Sequence, residues 1–600
     1  MILILRSVLV AFVSSSNPKI SANNRNYIFF FAALVLTLLA VNILQIHFIG
    51  DFGWDDGSIT VAYARTYAQT GRIALTPVSE QVEGFSSPAW FWLLAACYKI
   101  AHPGFLGMLQ ASQVLASLCS ALACGVFYLL LYKRIGAPMA MLACLTLGLS
   151  NMFLYEDANG MEMSLLSLLV ALCIVALQRR NSFLLILTTI LATTVRFEAA
   201  FYLWCAGVAI FLSANRQSRR RGVQIAASTV LAWLAVDIWR LLVFHTFMPN
   251  TIFAKRWAPY TRHGMAAFWS HLGGLLGLYD CLAVLIAGVL WLYFTQDVAN
   301  FRLDESSAGE ASSLLSNDSL RFCIGYTVGV TFFNLIIGTN SGYRGRMYYS
   351  CFIPAILLIF YLFLSYRRRL PAAWTAFVLV LWWASTFTIH YRYLDFHEAW
   401  SLALRSDGLG TSAPASNLFE RLLLHYRVPY GPNMYGITAH QFATTGRAVD
   451  DIRKQLDMAT ITFMVPDVGG ASLCCENIRI VDAGLLTNTV LAHDGYSALA
   501  QVLTTENPDV IETHIPWSRA GDIYHIPQFI ANYSPVIYHD NFFWIRNDIL
   551  HRLENIQPYT EISLPDALAI KARYLNEAQE TSNYDYEHLQ SLKKTITFFR

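Results

Sequence analysis

Two adjacent carboxylates, Asp55 and Asp56, open the run DDGSITVAYARTYAQTG. Carboxylates this close repel, so one of the pair is pushed toward a higher pKa. That suits a general base taking the proton of an attacking hydroxyl. The bland alternative is a helix start, where Asp caps free N–H groups and is favoured by the helix dipole. In the same polar stretch, Val82-Glu83-Gly84-Phe85-Ser86-Ser87-Pro88 offers Glu83 and Ser86 to a hydroxyl-rich ligand, or only presents a surface acid before a helix begun by Pro88.

Cations form the second set. Lys255 and Arg256, in FMPNTIFAKRW, follow an apolar segment and sit among aromatics. They could hold a lipid phosphate or serve as plain interfacial anchors. Arg344 and Arg346 lie in the glycine-rich turn GTNSGYRGRM between two apolar segments. Arginines on the outer side run against the usual bias, which points to an anionic partner such as a phosphate. Arg196 and Glu198 interrupt an apolar stretch, as a functional site or as a mutual pair closing a helix break. Glu156, Asp157 and Glu162, in LYEDANGMEMSLL, could bind an acceptor or a metal, or belong to a capped helix start.

The elements that must position these groups are membrane helices. Of 600 residues, 55% are apolar and 14% charged, against about a quarter charged in a soluble protein. The class is a mainly α-helical polytopic membrane protein in contact with a lipid bilayer. A net charge of +2, with no basic stretch interleaved with aromatics, argues against nucleic acid. Candidate spans are 28–49, 106–131, 138–154, 162–178, 183–212, 223–244, 270–295, 321–338, 349–366 and 373–391. The segment 89–101 is apolar but shorter than the roughly 20 residues a crossing needs.

Arg179-Arg180, the cluster from Arg216 to Arg221, and Arg367-Arg368-Arg369 mark the cytoplasmic side. The 51–88 loop, the 155–161 turn, the 244–264 region, the 338–347 turn and the chain from 392 onward are then outside. Lys133-Arg134 fits only if 89–101 enters and returns, and 183–212 must turn around Arg196-Phe197-Glu198. About nine to eleven spans are expected.

The arm 1–27 reads as cytoplasmic or interfacial, and 296–320 as a Ser-rich cytoplasmic loop. Most of the eleven cysteines lie in or beside apolar segments, as small buried residues do. Cys474 and Cys475 are not expected to bond to each other, and no Cys or His spacing suggests zinc. Beyond 392, short apolar runs at 460–465, 478–481, 510–515, 536–537 and 542–545 alternate with helical-looking stretches at 439–457, 495–504 and 561–577. This alternation predicts a C-terminal α/β domain, 392–600, after a membrane domain, 28–391.

The string DDGSITVAYARTYAQTGRI…VEGFSSPAWFWLLA resembles the first outer loop of bacterial membrane glycosyltransferases of the GT-C class, in particular the terminal β-(1→2) arabinofuranosyltransferase group. The similarity continues through NGMEMSLLSLL, VRFEA, MPNTIFAK and VPDVGGASLCCENIRIVDAGLLTN, in order over residues 51 to about 490. The resemblance implies a GT-C fold, a polyprenyl-phosphate-linked sugar donor and inverting transfer outside the cytoplasmic membrane of a bacterium. The acceptor would be a cell-envelope glycan or glycolipid. Asp55 would be the base with Asp56 as its partner. Lys255, Arg256, Arg344 and Arg346 would hold the donor phosphate, and Glu83, Ser86, Glu162 and Asn250 would contact acceptor or sugar.

The chain departs from the family at Gly338-Thr339-Asn340, where an acid is usual, at Arg196-Phe197-Glu198, which lacks a proline, and at Cys474-Cys475. No cofactor is certain, and a divalent metal held by Asp55, Asp56 and Asp157 is an option. A lipid or glycan transporter and a non-catalytic glycan-binding protein on a degenerate GT-C fold are the rival readings. The first would favour internal repeats and midplane charges, neither of which is clear in the sequence.

Overall fold

The computed structural model describes residues 23–49, 55–149, 151–257, 314–337, 343–366, 439–514, 517–575 and 594–599. The expected spans 270–295 and 373–391, the arm up to residue 22 and the Gly338-Thr339-Asn340 turn lie outside the described residues.

The described residues up to Tyr366 are mainly helical. Its elements are α1 Asn23–Ile49, α2 Asp55–Thr70, α3 Pro88–Ala101, α4 Phe105–Ile135, α5 Ala137–Gly148, α6 Asn151–Asn159, α7 Met163–Gln178, α8 Ser182–Val195, α9 Ala199–Phe211, α10 Arg216–Phe244, α11 Asn250–Ala254, α12 Asn317–Ile337 and α13 Phe352–Tyr366. A 3-10 run, Tyr343–Cys351, leads into α13. Among the described residues two stretches, Gly107–Lys133 and Arg216–Phe244, are long and apolar enough alone to cross a bilayer. Five shorter apolar helices accompany them.

Sequence chemistry explains several of the breaks. The 183–212 stretch divides at Arg196, which leaves α8 in an extended conformation, and α9 begins after Glu198. Each half is about 20 Å long at 1.5 Å per residue. The expected continuous span 138–154 is instead two helices, α5 and α6, and α6 carries Glu156 and Asp157. α3 has Pro88 in its first turn and ends on His102 in the left-handed region, so it covers about 21 Å and falls short of a bilayer.

Around α4, α7 and α9 the packing is continuous and apolar, with Phe127, Leu131, Leu166, Ile174 and Leu203 fully buried. α10 is different: Val230, Leu231, Leu234, Ile238 and Leu242 are exposed along it.

Residues 439–598 contain a mixed sheet of seven strands: β1 Ile461–Val465, β2 Ile478–Asp482, β3 Val510–Ile511, β4 Tyr533–Tyr538, β5 Asn541–Arg546, β6 Tyr559–Ile562 and β7 Thr595–Phe598. Their order is β2-β1-β3-β5-β4-β7-β6. β1 is parallel to β2 and β3, the β4–β5 hairpin is antiparallel, and β7 joins β4 in parallel. The hairpin turns through His539 and Asp540, both at positive φ. α14 Ala439–Gln455 lies on one side, with Phe442, Val449 and Ile452 buried. The short α15 Gly469–Cys474 follows β1. Ile59, Phe85, Trp90 and Phe91 share one apolar cluster with Phe442, Phe463 and Val468, so the 55–91 loop packs directly on the sheet layer.

Candidate active site

The first loop is held at both ends of α15. Asp55, 1% exposed, accepts N–H bonds from Gly469 (2.6 Å, Oδ2) and Gly470 (2.6 Å, Oδ1), the first two residues of α15. Three turns along α2, Arg65 donates to the carbonyls of Leu473 and Ser472, near the other end of α15. A carboxylate on free helix N–H groups and a guanidinium on free helix carbonyls is the pairing that the helix dipole favours. Glycine is required at 469, because a Cβ there would collide with the Asp55 carbonyl and the Ser58 hydroxyl. Gly57 has the same role against the Asn159 carbonyl, which seats the start of α2 on the end of α6. Burial first and the nearby Asp467 charge second push the Asp55 carboxyl well above the usual range, against the two amides. With both oxygens bonded and almost no exposure, Asp55 anchors the loop. The sequence expectation that it is the base fits this geometry poorly.

Asp56 is half-buried. It lies close enough to Lys255 and Arg346 to act on both electrostatically. The same neighbourhood holds Arg196, Glu198, Glu162 and Glu156. Arg196 donates to Glu162 (2.7 Å), to Glu198 (2.9 Å) and to the Ser86 hydroxyl (2.9 Å). Arg346 donates to the same Glu162 oxygen at 2.5 Å, and its Nε stands 3.8 Å from Glu156. One carboxylate thus bridges two guanidiniums. The Lys255 ammonium is held below its ordinary pKa, first by desolvation and then by Arg196, with Glu198 opposing. Three cations and Asp56 therefore converge from α2, the α8–α9 break, the end of α11 and the 3-10 run.

Other expected contacts are placed differently. Glu83 is fully buried and forms a two-pronged pair with Arg240 of α10 (2.7 and 3.2 Å), which also bonds Asp237 (3.1 Å). Its carboxylate is closed to a sugar hydroxyl. Asn250 donates to the carbonyls of Leu486 (2.9 Å) and Asn488 (3.2 Å), and its N–H bonds the Glu83 carbonyl (3.2 Å). It ties three segments together and is not presented to a ligand. Arg256 is exposed and lies over the Phe253 ring at 5.6 Å, away from the cluster. The Arg344 side chain lies outside the described residues. Asp157 accepts from Ser164 (2.7 Å) and Asn42 (3.0 Å), and Asp55 from the α15 amides, so Asp55, Asp56 and Asp157 do not gather around a cation. Among the described residues no cluster of three acids, His or Cys is arranged to hold a metal.

The sequence reading also missed a second polar centre. His514 bridges Glu512 (Nδ1, 2.8 Å) and Asp467 (Nε2, 2.6 Å) beside the Asp55 anchor. Against desolvation, the two carboxylates hold its pKa well above the ordinary histidine value. Cys474 and Cys475 are joined as a disulfide, contrary to expectation, where α15 ends and Cys475 is extended. Asp237 and Arg240, charges inside the apolar second half of α10, are a signal readable in the sequence.

No family model matches the chain, and no curated protein matches it. Among solved structures, the chain is similar to apo ArnT from Cupriavidus metallidurans, at 14% identity and a TM-score of 0.47, covering 87% of this chain and 98% of that one. The undecaprenyl phosphate complex of the same protein gives 14% and 0.44, over 81% and 92%. The apo oligosaccharyltransferase of Archaeoglobus fulgidus gives 12% and 0.47, over 92% and 84%.

Proposed function

We propose that the protein is a membrane glycosyltransferase of GT-C type that moves a sugar from a polyprenyl-phosphate donor to an acceptor hydroxyl, with inversion. The supporting observation is the meeting of Asp56 with Lys255, Arg196 and Arg346 on the loops that join the membrane helices to the sheet layer. The exposed apolar face of α10 suits lipid contact. The sugar is a pentose or a hexose, and the resemblance of the first loop favours arabinofuranose among them. The acceptor is a cell-envelope glycan or glycolipid, on the outer side of a bacterial inner membrane where the C-terminal residues also lie.

In the proposed step, Asp56 takes the proton of the acceptor hydroxyl. The oxygen attacks the anomeric carbon, the bond from that carbon to the phosphate oxygen breaks on the opposite face, and the electron pair leaves with the phosphate. Lys255 stabilises the charge that builds on the departing phosphate. Arg196 and Arg346, fixed by Glu162, supply a preorganised positive field that costs no reorganisation during the reaction. Asp55 acts through the backbone, by holding α2 on α15.

Transfer from radiolabelled polyprenyl-phosphate sugars to envelope extract tests this reading. Lys255→Ala should lower incorporation about 100-fold or more, whereas Arg256→Ala should leave it within about threefold. Equal loss in both variants, or in neither, would count against the phosphate site.

A further inference from the structure

α11, capped by Lys255, is five residues long, too short to hold its own shape. Its place is set by residues of the sheet layer. Asn250 at its start is tied to Leu486 and Asn488. Further along, the Phe253 ring stacks on His493 at 4.0 Å, and Ala254 is buried in one apolar cluster with Leu491 and Ala492. Those three partners belong to a short helix, α16 Thr489–Asp494, and the same cluster takes in Met464 of β1 and Val481 of β2. Just beyond Lys255, the Trp257 N–H bonds the Ala254 carbonyl (3.0 Å), and the indole lies against Gly495, where α16 ends.

The contact between Trp257 and Gly495 is fitted from both sides. Gly495 has φ 69° and ψ −162°, a conformation essentially reserved to glycine. A Cβ on it would stand 2.6, 2.9 and 3.0 Å from three carbons of the indole. An aromatic that merely anchors a chain at the membrane surface needs no such seat. Trp257 is also 44% exposed, so burial in a core does not account for the fit. We propose that Trp257, seated on Gly495, is a positioning residue for Lys255: it fixes the end of α11 so that the ammonium meets the departing phosphate. The inference rests on the reading of Lys255 as the phosphate cation and deepens it. It also gives the sheet layer a part in the reaction. α15 holds α2 through Asp55, and α16 holds α11 through Trp257. The two short helices precede and follow β2 in the chain, so one scaffold sets Asp56 against Lys255.

The test is a double-variant cycle, read as transfer from the polyprenyl-phosphate sugar that wild type turns over. A misplacement of about 1 Å can cost about 100-fold, so Trp257→Ala should lower kcat about 10- to 100-fold, with KM for donor and for acceptor within about threefold. Added to Lys255→Ala, the same change should cost less than about threefold, because the lysine it positions is gone. Trp257→Phe keeps a flat ring to lay on Gly495 and should recover most of the loss. Gly495→Ala displaces the indole and leaves Trp257 in place. It should repeat both the loss in kcat and its disappearance in the Lys255→Ala background, and it decides the matter if Trp257→Ala does not fold. Full kcat in Trp257→Ala, equal fold losses with and without Lys255, or a rise in acceptor KM alone would overturn the positioning role and leave the glycosyltransferase reading intact. Wild-type turnover in Lys255→Ala, or no transfer by wild type from any donor, would overturn both.

Discussion

Removing Arg240 should damage this protein through Glu83, and removing both should not. The two side chains are 1% and 0% exposed and share two hydrogen bonds of 2.7 and 3.2 Å. Breaking a buried pair by deleting one member costs about 3–5 kcal/mol, while replacing both with apolar groups of similar volume is often neutral or better. With a shift of about 2–4 °C per kcal/mol for a domain of 150–250 residues, Arg240→Met or Glu83→Leu should each lower the melting temperature by roughly 6–20 °C. The double variant should recover most of that loss. The assay is thermal unfolding in detergent, followed by fluorescence-detected size exclusion.

The deficit of Arg240→Met should also depend on pH. Burial pushes Glu83 up to about 7 even with Arg240 beside it, and losing Arg240 raises it further. A carboxyl whose folded pKa lies above its unfolded value, about 4.3, gives stability that is complete at low pH and lost as pH rises. The deficit should therefore grow from pH 5 to pH 8. Losses in the double variant equal to the sum of the singles, or a deficit that shrinks with rising pH, would refute the reasoning.

Three further outcomes follow from the geometry. Asp55→Ala should release the Gly469 and Gly470 amides, seen as faster hydrogen exchange over 469–474, with a stability loss of about 1–3 kcal/mol from two lost hydrogen bonds. His514, raised by Glu512 and Asp467, should contribute stability that is complete below about 6.5 and lost as pH climbs through its folded pKa. Wild type should accordingly lose thermal stability on the alkaline side, a slope absent in His514→Gln. Asn250→Ala should cost about 1–3 kcal/mol by leaving the Leu486 and Asn488 carbonyls without its donor, while KM for donor stays within about twofold in the surviving enzyme.

Local patterns located much of the architecture. Alternating short apolar runs put strands at 460–465 and 542–545, where β1 and β5 stand. Charges placed the break between α8 and α9 at Arg196. The chemistry of the loop was readable as a set of residue types but not as a set of partners. Asp55 reaches Gly469, Glu83 reaches Arg240 and Asn250 reaches Leu486, pairs separated by 414, 157 and 236 residues. Nothing local in the sequence encodes which distant amide or guanidinium a carboxylate meets. An acid that anchors a helix and an acid that takes a proton look alike until both ends of the contact are known. Asp55 and Asp56 are adjacent and of the same type, yet α2 turns one onto α15 and the other toward Lys255 and Arg346. The vicinal disulfide is not legible for a different reason: the usual geometry of cystine argues against a bond between sequence neighbours, yet Cys474 and Cys475 are joined where α15 gives way to extended backbone.

The most direct test of the central claim compares Asp56→Asn with Asp55→Asn and wild type, in membranes at matched levels, for transfer of label from the polyprenyl-phosphate sugar that wild type uses. The account predicts that Asp56→Asn unfolds at the same temperature as wild type and loses about 100- to 10,000-fold in turnover, the range for a missing general base. Asp55→Asn should instead lose thermal stability and recover measurable turnover at low temperature. Full activity in Asp56→Asn, with activity abolished in a stably folded Asp55→Asn, would contradict the account and return the base to Asp55.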